Sequence, residues 1–268
     1  MFAALASALL LSLLPGSARA GADLAAPIDA AALQGDWRAR RPLVEELGRI
    51  PVELEPADLA LVAEGGIARH RLRQAGMDRV LGATWTDLPR DQLWIAILDD
   101  SCFTLVEGLT ERHLPSGDPL RKLLFQHVDA PWPFSDRQWI LDIRSNPGLY
   151  AASAGAIWER TWTLASGPEG APERIPDPAW PDPQAIWTPV NDGGWLLLDA
   201  AGGTLLVYHA RVDVGGALPD EASTAWALAT LKGLLSKVLE RAAVIASHYD
   251  GSHAPVLRPD GSPIPGGR

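Results

Sequence analysis

Val128-Asp-Ala-Pro-Trp-Pro-Phe-Ser-Asp-Arg-Gln-Trp139 decides how this chain folds, once it is taken together with Asp213-Val-Gly-Gly-Ala-Leu-Pro219. In the first stretch Pro131 and Pro133 fix turns around Trp132, a structural role for that ring, and Arg137 opens a strand. In the second, Gly215 and Gly216 suit positive φ or a tight passage of the chain, and they match no phosphate-binding loop. Pro219-Asp220-Glu221 then opens a helix, with proline in the first turn and acids at the positive end.

That helix carries Leu228, Leu231, Leu235, Val238, Ala242 and Ile245 at steps of three and four, a continuous apolar stripe. Gly251 is a plausible stop, and residues 252–268 read as a flexible tail. Upstream, Arg137 to Arg144 alternates: Trp139, Leu141 and Ile143 share the inward face, with Arg137 of the same parity at the mouth. Thr204 to Val212 does the same with Leu206, Tyr208 and Ala210. Trp158 and Trp162 share a face with Arg160; we read it as solvent-facing, the arginine stacked between rings. The alternative is an inward face, on which Arg160 needs a buried partner or a ligand head group.

The remaining pattern predicts a helix over 31–48, then a hairpin of Leu59–Ala63 and Ala68–Leu72 turning at Glu64-Gly65-Gly66. A strand over 80–85 and a helix over 86–99 follow. Strands over 103–109, 122–128, 137–144 and 157–164 come next, and then a Pro/Gly-rich surface loop over 167–183. Asn191-Asp-Gly-Gly194 predicts a hairpin turn between strands at 186–190 and 195–198.

The two opening stretches resemble the START lipid-transfer domain of the helix-grip, Bet v 1-like superfamily. Its members carry a P-W-P-x-S-x-R-D-like segment and a later D-P-G-G-x-x-P turn before the last helix. The resemblance spans roughly Pro51 to Ala246. It implies an α+β helix-grip fold: a curved antiparallel β-sheet closed by a long C-terminal amphipathic helix over a hydrophobic cavity. Gln138 stands where the family has Asp, Val214 where it has Pro, and Ile143 where cholesterol-binding members place a tunnel arginine. The last departure argues against a cholesterol-like mode.

The resemblance implies ligand contacts from Trp139, Leu141 and Ile143 on one strand and from Leu206, Tyr208 and Ala210 on the last. Leu228, Leu231 and Leu235 add contacts from the helix, and Leu218, with Ala217, from the gating turn. Arg137 either supports the turn or anchors a polar group at the mouth. Eleven tryptophans against three tyrosines and four phenylalanines suit a roomy apolar interior.

Composition bounds the function. The chain has 268 residues, 47% of them hydrophobic, enough for one core, and a net charge of −10 that excludes nucleic acid and a polybasic membrane dock. Phe2 to Leu14 is apolar, and Ala18-Arg19-Ala20 resembles a cleavage site. Residues 1–20 therefore read as a signal peptide, the mature chain beginning near Gly21 and exported to the periplasm or beyond. Residues 21–50 form an N-terminal helix segment, and 51–250 the START-like domain. Cys102, the only cysteine, reads as a buried strand thiol. The six histidines are scattered, and no metal-ligand motif or nucleophile elbow appears.

These readings point to a monomeric carrier without cofactor. Its partner is a lipid, acyl chain, sterol- or hopanoid-like molecule or other hydrophobic small molecule, loaded through transient membrane contact. The alternative is a polyketide cyclase or aromatase-like enzyme, with Tyr208 as proton donor and Arg137 as anion stabiliser. A third reading is a stress or assembly factor with a vestigial cavity.

Overall fold

The computed structural model describes residues 27–49, 52–73, 77–98, 108–130, 135–165, 175–216, 220–249 and 255–265. Cys102, Trp132, Ala217, Leu218, Gly251 and the N-terminal apolar run lie outside them, as does most of the strand expected over 103–109.

Among the described residues, nine strands make one sheet. In chain order they are β1 (Ala68–Leu72), β2 (Arg79–Thr86), β3 (Leu109–Leu114), β4 (Arg121–Val128), β5 (Arg137–Ser145), β6 (Ile157–Leu164), β7 (Ile186–Trp187), β8 (Val190–Ala200) and β9 (Gly203–Asp213). The spatial order is β1-β2-β9-β8-β6-β5-β4-β3, antiparallel throughout, and β7 adds a short parallel pairing to the start of β5. Five helices flank the sheet: α1 (Ala30–Leu47), α2 (Pro56–Ala63), α3 (Arg90–Leu98), α4 (Pro147–Ala152) and α5 (Asp220–Ile245).

Strand alternation divides the core in two. Inward residues of β5, β6, β8 and β9 pack with α3 and α5 in one cluster. Residues of opposite parity, Leu196, Leu198, Leu205 and Val207 among them, pack with α1 and α2 in the other. α1 is capped by Asp29, which accepts from the Ala31 N–H at 2.8 Å. It is tied to the β8–β9 turn by Asp36, which accepts from the Ala201 N–H at 2.8 Å. α5 seats over β1, β2 and β9. Gly82 lets it come close, since a Cβ there would lie 3.0 Å from Leu235 Cδ1.

The structure corrects four expectations. Leu59–Ala63 is helical, because Glu55 and Asp58 form a capping box around Pro56 and turn Leu59, Val62 and Ala63 to one face. Asn191–Gly194 lies inside β8 and makes no turn: Gly193 pairs with Ala210 and Gly194 with His209. These glycines make room for neighbouring rings, since a Cβ on Gly193 would strike Trp162 and one on Gly194 would lie 2.9 Å from His209 Nε2. The turn is at Ala201 and Gly202, both with positive φ. Finally, part of the expected tail is packed: Val256 and Ile264 join the inner cluster, and Trp94 Nε1 donates to the Leu257 carbonyl at 2.9 Å. The expected helix over 86–99 begins at Arg90, because Thr86 completes β2; α4 was not anticipated.

One joint positions everything that follows. Arg137 Nε donates to the Val214 carbonyl at 2.7 Å, and Nη2 to that of Gly215 at 3.4 Å. Nη1 donates to the carbonyls of Ser135 and Asp136. The guanidinium therefore ties the start of β5 to the end of β9, where Gly215 and Gly216 turn at φ +69° and +76°. An alanine at 216 would strain that backbone and press on Ile186 Cδ1 at 3.1 Å. We expect Gly216→Ala to cost ~1–2 kcal/mol in urea unfolding. Arg137→Met, which orphans several carbonyls, should cost roughly 3 kcal/mol. Because both act on one joint, the double variant should lose less than their sum; strict additivity would show that the joint is not a unit.

A buried polar network sits on the opposite face. Arg79 Nη1 lies 3.2 Å from His209 Nδ1, and Nη2 donates to Asp192, which also accepts from Arg211 Nε at 2.8 Å. A guanidinium only donates, so His209 Nδ1 accepts and the ring proton resides on Nε2. Burial, with Arg79 beside it, lowers the His209 pKa to about 3. The unfolded chain then binds more protons between the ordinary histidine pKa of about 6.5 and that value. The stability this ring supplies is complete above about pH 6.5 and declines toward pH 3, by up to ~1.4 kcal/mol per unit. Urea unfolding at about pH 7 and about pH 5 should show that decline, and His209→Gln should flatten it; an unchanged slope would acquit His209 as its source.

Candidate functional site: the interior between the sheet and the last helix

The inner face gathers the expected residues. Trp139, Leu141 and Ile143 from β5, Leu206, Tyr208 and Ala210 from β9, and Leu231 and Leu235 from α5 all belong to one cluster, against which Leu228 packs half-buried. Leu218 lies outside the described residues. Arg137 is at the mouth, its donors committed to backbone carbonyls.

The cluster also holds side chains that strand alternation alone did not assign: Trp94, Trp158, Trp162 and Trp195. Trp158 and Trp162 face inward, against the solvent-facing expectation. The cause is register: Trp162 pairs with Ile143 and Gly193, so it must share their inward face. Arg160 comes inward with them, buried, and Nη1 donates to the Ile97 carbonyl at 3.2 Å. The backbone carbonyl is thus one buried partner for this charge.

The interior is not sealed evenly. Leu197, Leu206, Val238, Ala242 and Ile245 are fully closed to solvent. Toward the Gly215 turn, Ile143 keeps 6%, Trp195 6%, Tyr208 5% and Trp162 9% of their surface accessible. These residues sit on central strands of the sheet; Leu239 at 8% and Val256 at 9% keep as much toward the Tyr249 end. The far end is plugged by Tyr249, whose hydroxyl accepts from the Val256 N–H at 2.8 Å.

Polar atoms are sparse on this face, and most are matched. Trp139 Nε1 donates to Gln126 Oε1 at 2.6 Å, Trp162 Nε1 to Asn191 Oδ1 at 2.9 Å, and Trp158 Nε1 to the Gly155 carbonyl at 2.9 Å. The Tyr208 and Trp195 rings meet edge to face, their centroids 4.6 Å apart. Burial raises the Tyr208 pKa, so the hydroxyl is a neutral donor and acceptor. A phenol hydroxyl and an indole N–H in an apolar wall can orient the polar end of a guest. Their pairing follows from Trp195 lying opposite Tyr208 across β8 and β9, a register that alternation within one strand does not reveal.

No protein-family model and no curated protein sequence matches the chain. Solved structures do. A STAR-related lipid transfer protein fragment from Xanthomonas axonopodis is similar at 17% identity and a TM-score of 0.52, over 66% of this chain and 94% of that one. Human STARD10 is similar at 17% identity and a TM-score of 0.52, over 82% of this chain and 94% of its own. Sheet order, inner cluster and closing helix agree with that likeness: the chain has the helix-grip fold of the START-related lipid-transfer domains.

Proposed function

We propose that the protein binds a hydrophobic molecule with one polar end, a lipid or sterol-like compound, beneath α5 and carries it without altering it. The observation that carries this reading is the ring-lined apolar inner face, with Trp139, Trp162, Trp195 and Tyr208 among its members, over which α5 closes. The similarity to the STAR-related lipid transfer protein fragment from Xanthomonas axonopodis supports it. Apolar surface supplies the affinity, at ~0.8 kcal/mol per buried CH₂. The paired polar atoms set which end lies deepest. Loading requires the Gly215–Gly216 turn or the start of α5 to move, a gating step.

The test is native purification followed by solvent extraction and mass spectrometry. A stoichiometric lipid is expected. Leu141→Arg should abolish retention, because a charge enters the apolar wall. Tyr208→Phe should retain the fold but weaken a polar-ended lipid about five-fold, the worth of ~1 kcal/mol. An empty protein that also takes up no acyl chain or sterol would overturn the carrier reading. Conversion of a bound polyketide would favour the cyclase alternative, which needs a second titratable group converging on Tyr208.

We also propose export, from the apolar run Phe2–Leu14 and Ala18-Arg19-Ala20. The mature protein should then have an intact mass corresponding to a start at Gly21; recovery of the unprocessed chain would overturn this.

A further inference from the structure

The outer face of β4 and β5 carries a second constellation, remote from the lipid wall and independent of the carrier reading. His127 of β4, Asp136 before β5 and Asp182 of the loop over 175–185 each offer one donor atom, and these atoms lie within 4.8 Å of one another. Nε2 of His127 is closed to solvent and without a hydrogen-bond partner, and it lies 3.6 Å from Asp136 Oδ2. Across the ring, Nδ1 lies 3.5 Å from Asp129 Oδ1.

The carboxylates are held in place by other means. Asp136 Oδ1 accepts from the Ala130 N–H at 2.7 Å, which leaves Oδ2 for the site. Asp182 lies between Pro181 and Pro183. Its backbone is gripped twice by the Gln138 side chain, Nε2 donating to the Asp182 carbonyl and Oε1 accepting from its N–H, each at 3.0 Å. Asp182 Oδ1 accepts from the Gln184 N–H at 2.8 Å, so one oxygen stays free of that turn. The loop itself is pinned where Trp180 packs on Phe125 and under Arg112. Three potential ligands are thus placed by backbone contacts that need no ion, the condition for a preorganised site.

We propose that His127, Asp136 and Asp182 bind a divalent transition-metal ion. One imidazole and two carboxylates suit zinc, manganese or ferrous iron, whereas calcium and magnesium favour oxygen alone. Donors about 2.1 Å from a tetrahedral ion lie roughly 3.4 Å apart, so the side chains close on it by about an ångström. Three protein ligands leave a coordination position free. His127 and Asp182 also line a cleft of about 360 Å³, together with Arg112 and Trp180. The guanidinium in that wall favours an anionic or water ligand there. Because Asp136 adjoins Arg137, the bound ion also braces the joint that holds the interior's mouth.

The test titrates the tag-free full chain, stripped with chelator, with zinc and then manganese by calorimetry, and with cobalt(II) by visible absorption. One ion per chain is expected. Asp182→Asn and His127→Gln should each weaken zinc at least ~10–100-fold, the range seen even for outer-shell partners. His70→Gln, at the other histidine–carboxylate contact, with Asp58 at 3.1 Å, should leave it unchanged. Asp182→Asn keeps the backbone contacts to Gln138, so it carries the test even where His127→Gln fails to fold. Absence of uptake with the ion in molar excess, or zinc affinity indifferent to Asp182→Asn, overturns the proposal.

Discussion

The guanidinium of Arg137 donates to carbonyls at both ends of the interval it joins: Ser135 and Asp136 before its own strand, Val214 and Gly215 after β9. Those carbonyls flank the strand ends; that of Asp136 also accepts from the Ile186 N–H of β7 at 2.9 Å, and leaving buried carbonyls unpaired is costly. Burial lowers the Arg137 pKa, with Asp136 opposing, but a guanidinium remains cationic in such a setting. With this joint made, β9 ends at a fixed point, the two glycines turn, and α5 is launched across β2 and β9. Remove it and the closing helix has no defined starting position.

The inner and outer faces of the sheet use different physics. The outer face beneath α1 and α2 is closed by aliphatic side chains packed to zero accessibility, Leu196, Leu198, Leu205 and Val207 among them. Past the helices, the same face is held by Arg79, Asp192, Arg211 and His209, whose hydrogen bonds replace water that apolar packing no longer excludes. The inner face relies on large rings instead. Rings fill volume coarsely, and they leave both residual surface and indole or phenol hydrogens to be matched. An interior that must exchange its contents tolerates such packing; one that serves stability alone is better filled by branched aliphatics.

Much of this was legible in the sequence because the relevant signals are local. Alternation in β5 and β9, the stripe of α5 and the Arg137 and Gly215-Gly216 motifs each lie within one element, and each appears where it was expected. What was misread depends on partners. Gly193-Gly194 imitates a turn until Trp162 and His209 are seen above the glycines. Trp158, Arg160 and Trp162 imitate a solvated face until the register with Ile143 turns them inward. Leu59–Ala63 imitates a strand because five mostly apolar residues fit either period; the capping box at Glu55 and Asp58 was the discriminating signal. His127, Asp136 and Asp182 fit no spacing motif, because a strand, a strand entrance and a loop bring them together.

Polar constraints hold the two ends of α5 differently. At the far end, α5 runs into Tyr249, and the segment over 255–265 folds back: Trp94 and Tyr249 bond to its backbone while Arg258 pairs with Asp91. Strands, helix and terminal segment are interlocked there. At the mouth, α5 begins after a turn held chiefly through one guanidinium, with Arg71 reaching Glu221 at the exposed helix start. An exposed ion pair of that kind contributes little. The helix is therefore interlocked at its C-terminal end with the terminal segment. On the proposed carrier reading, a guest enters beside Gly216, near the edge-to-face pair of Tyr208 and Trp195. On that reading exchange and retention are set by different contacts, the first by the joint at Arg137 and the second by the ring-lined wall.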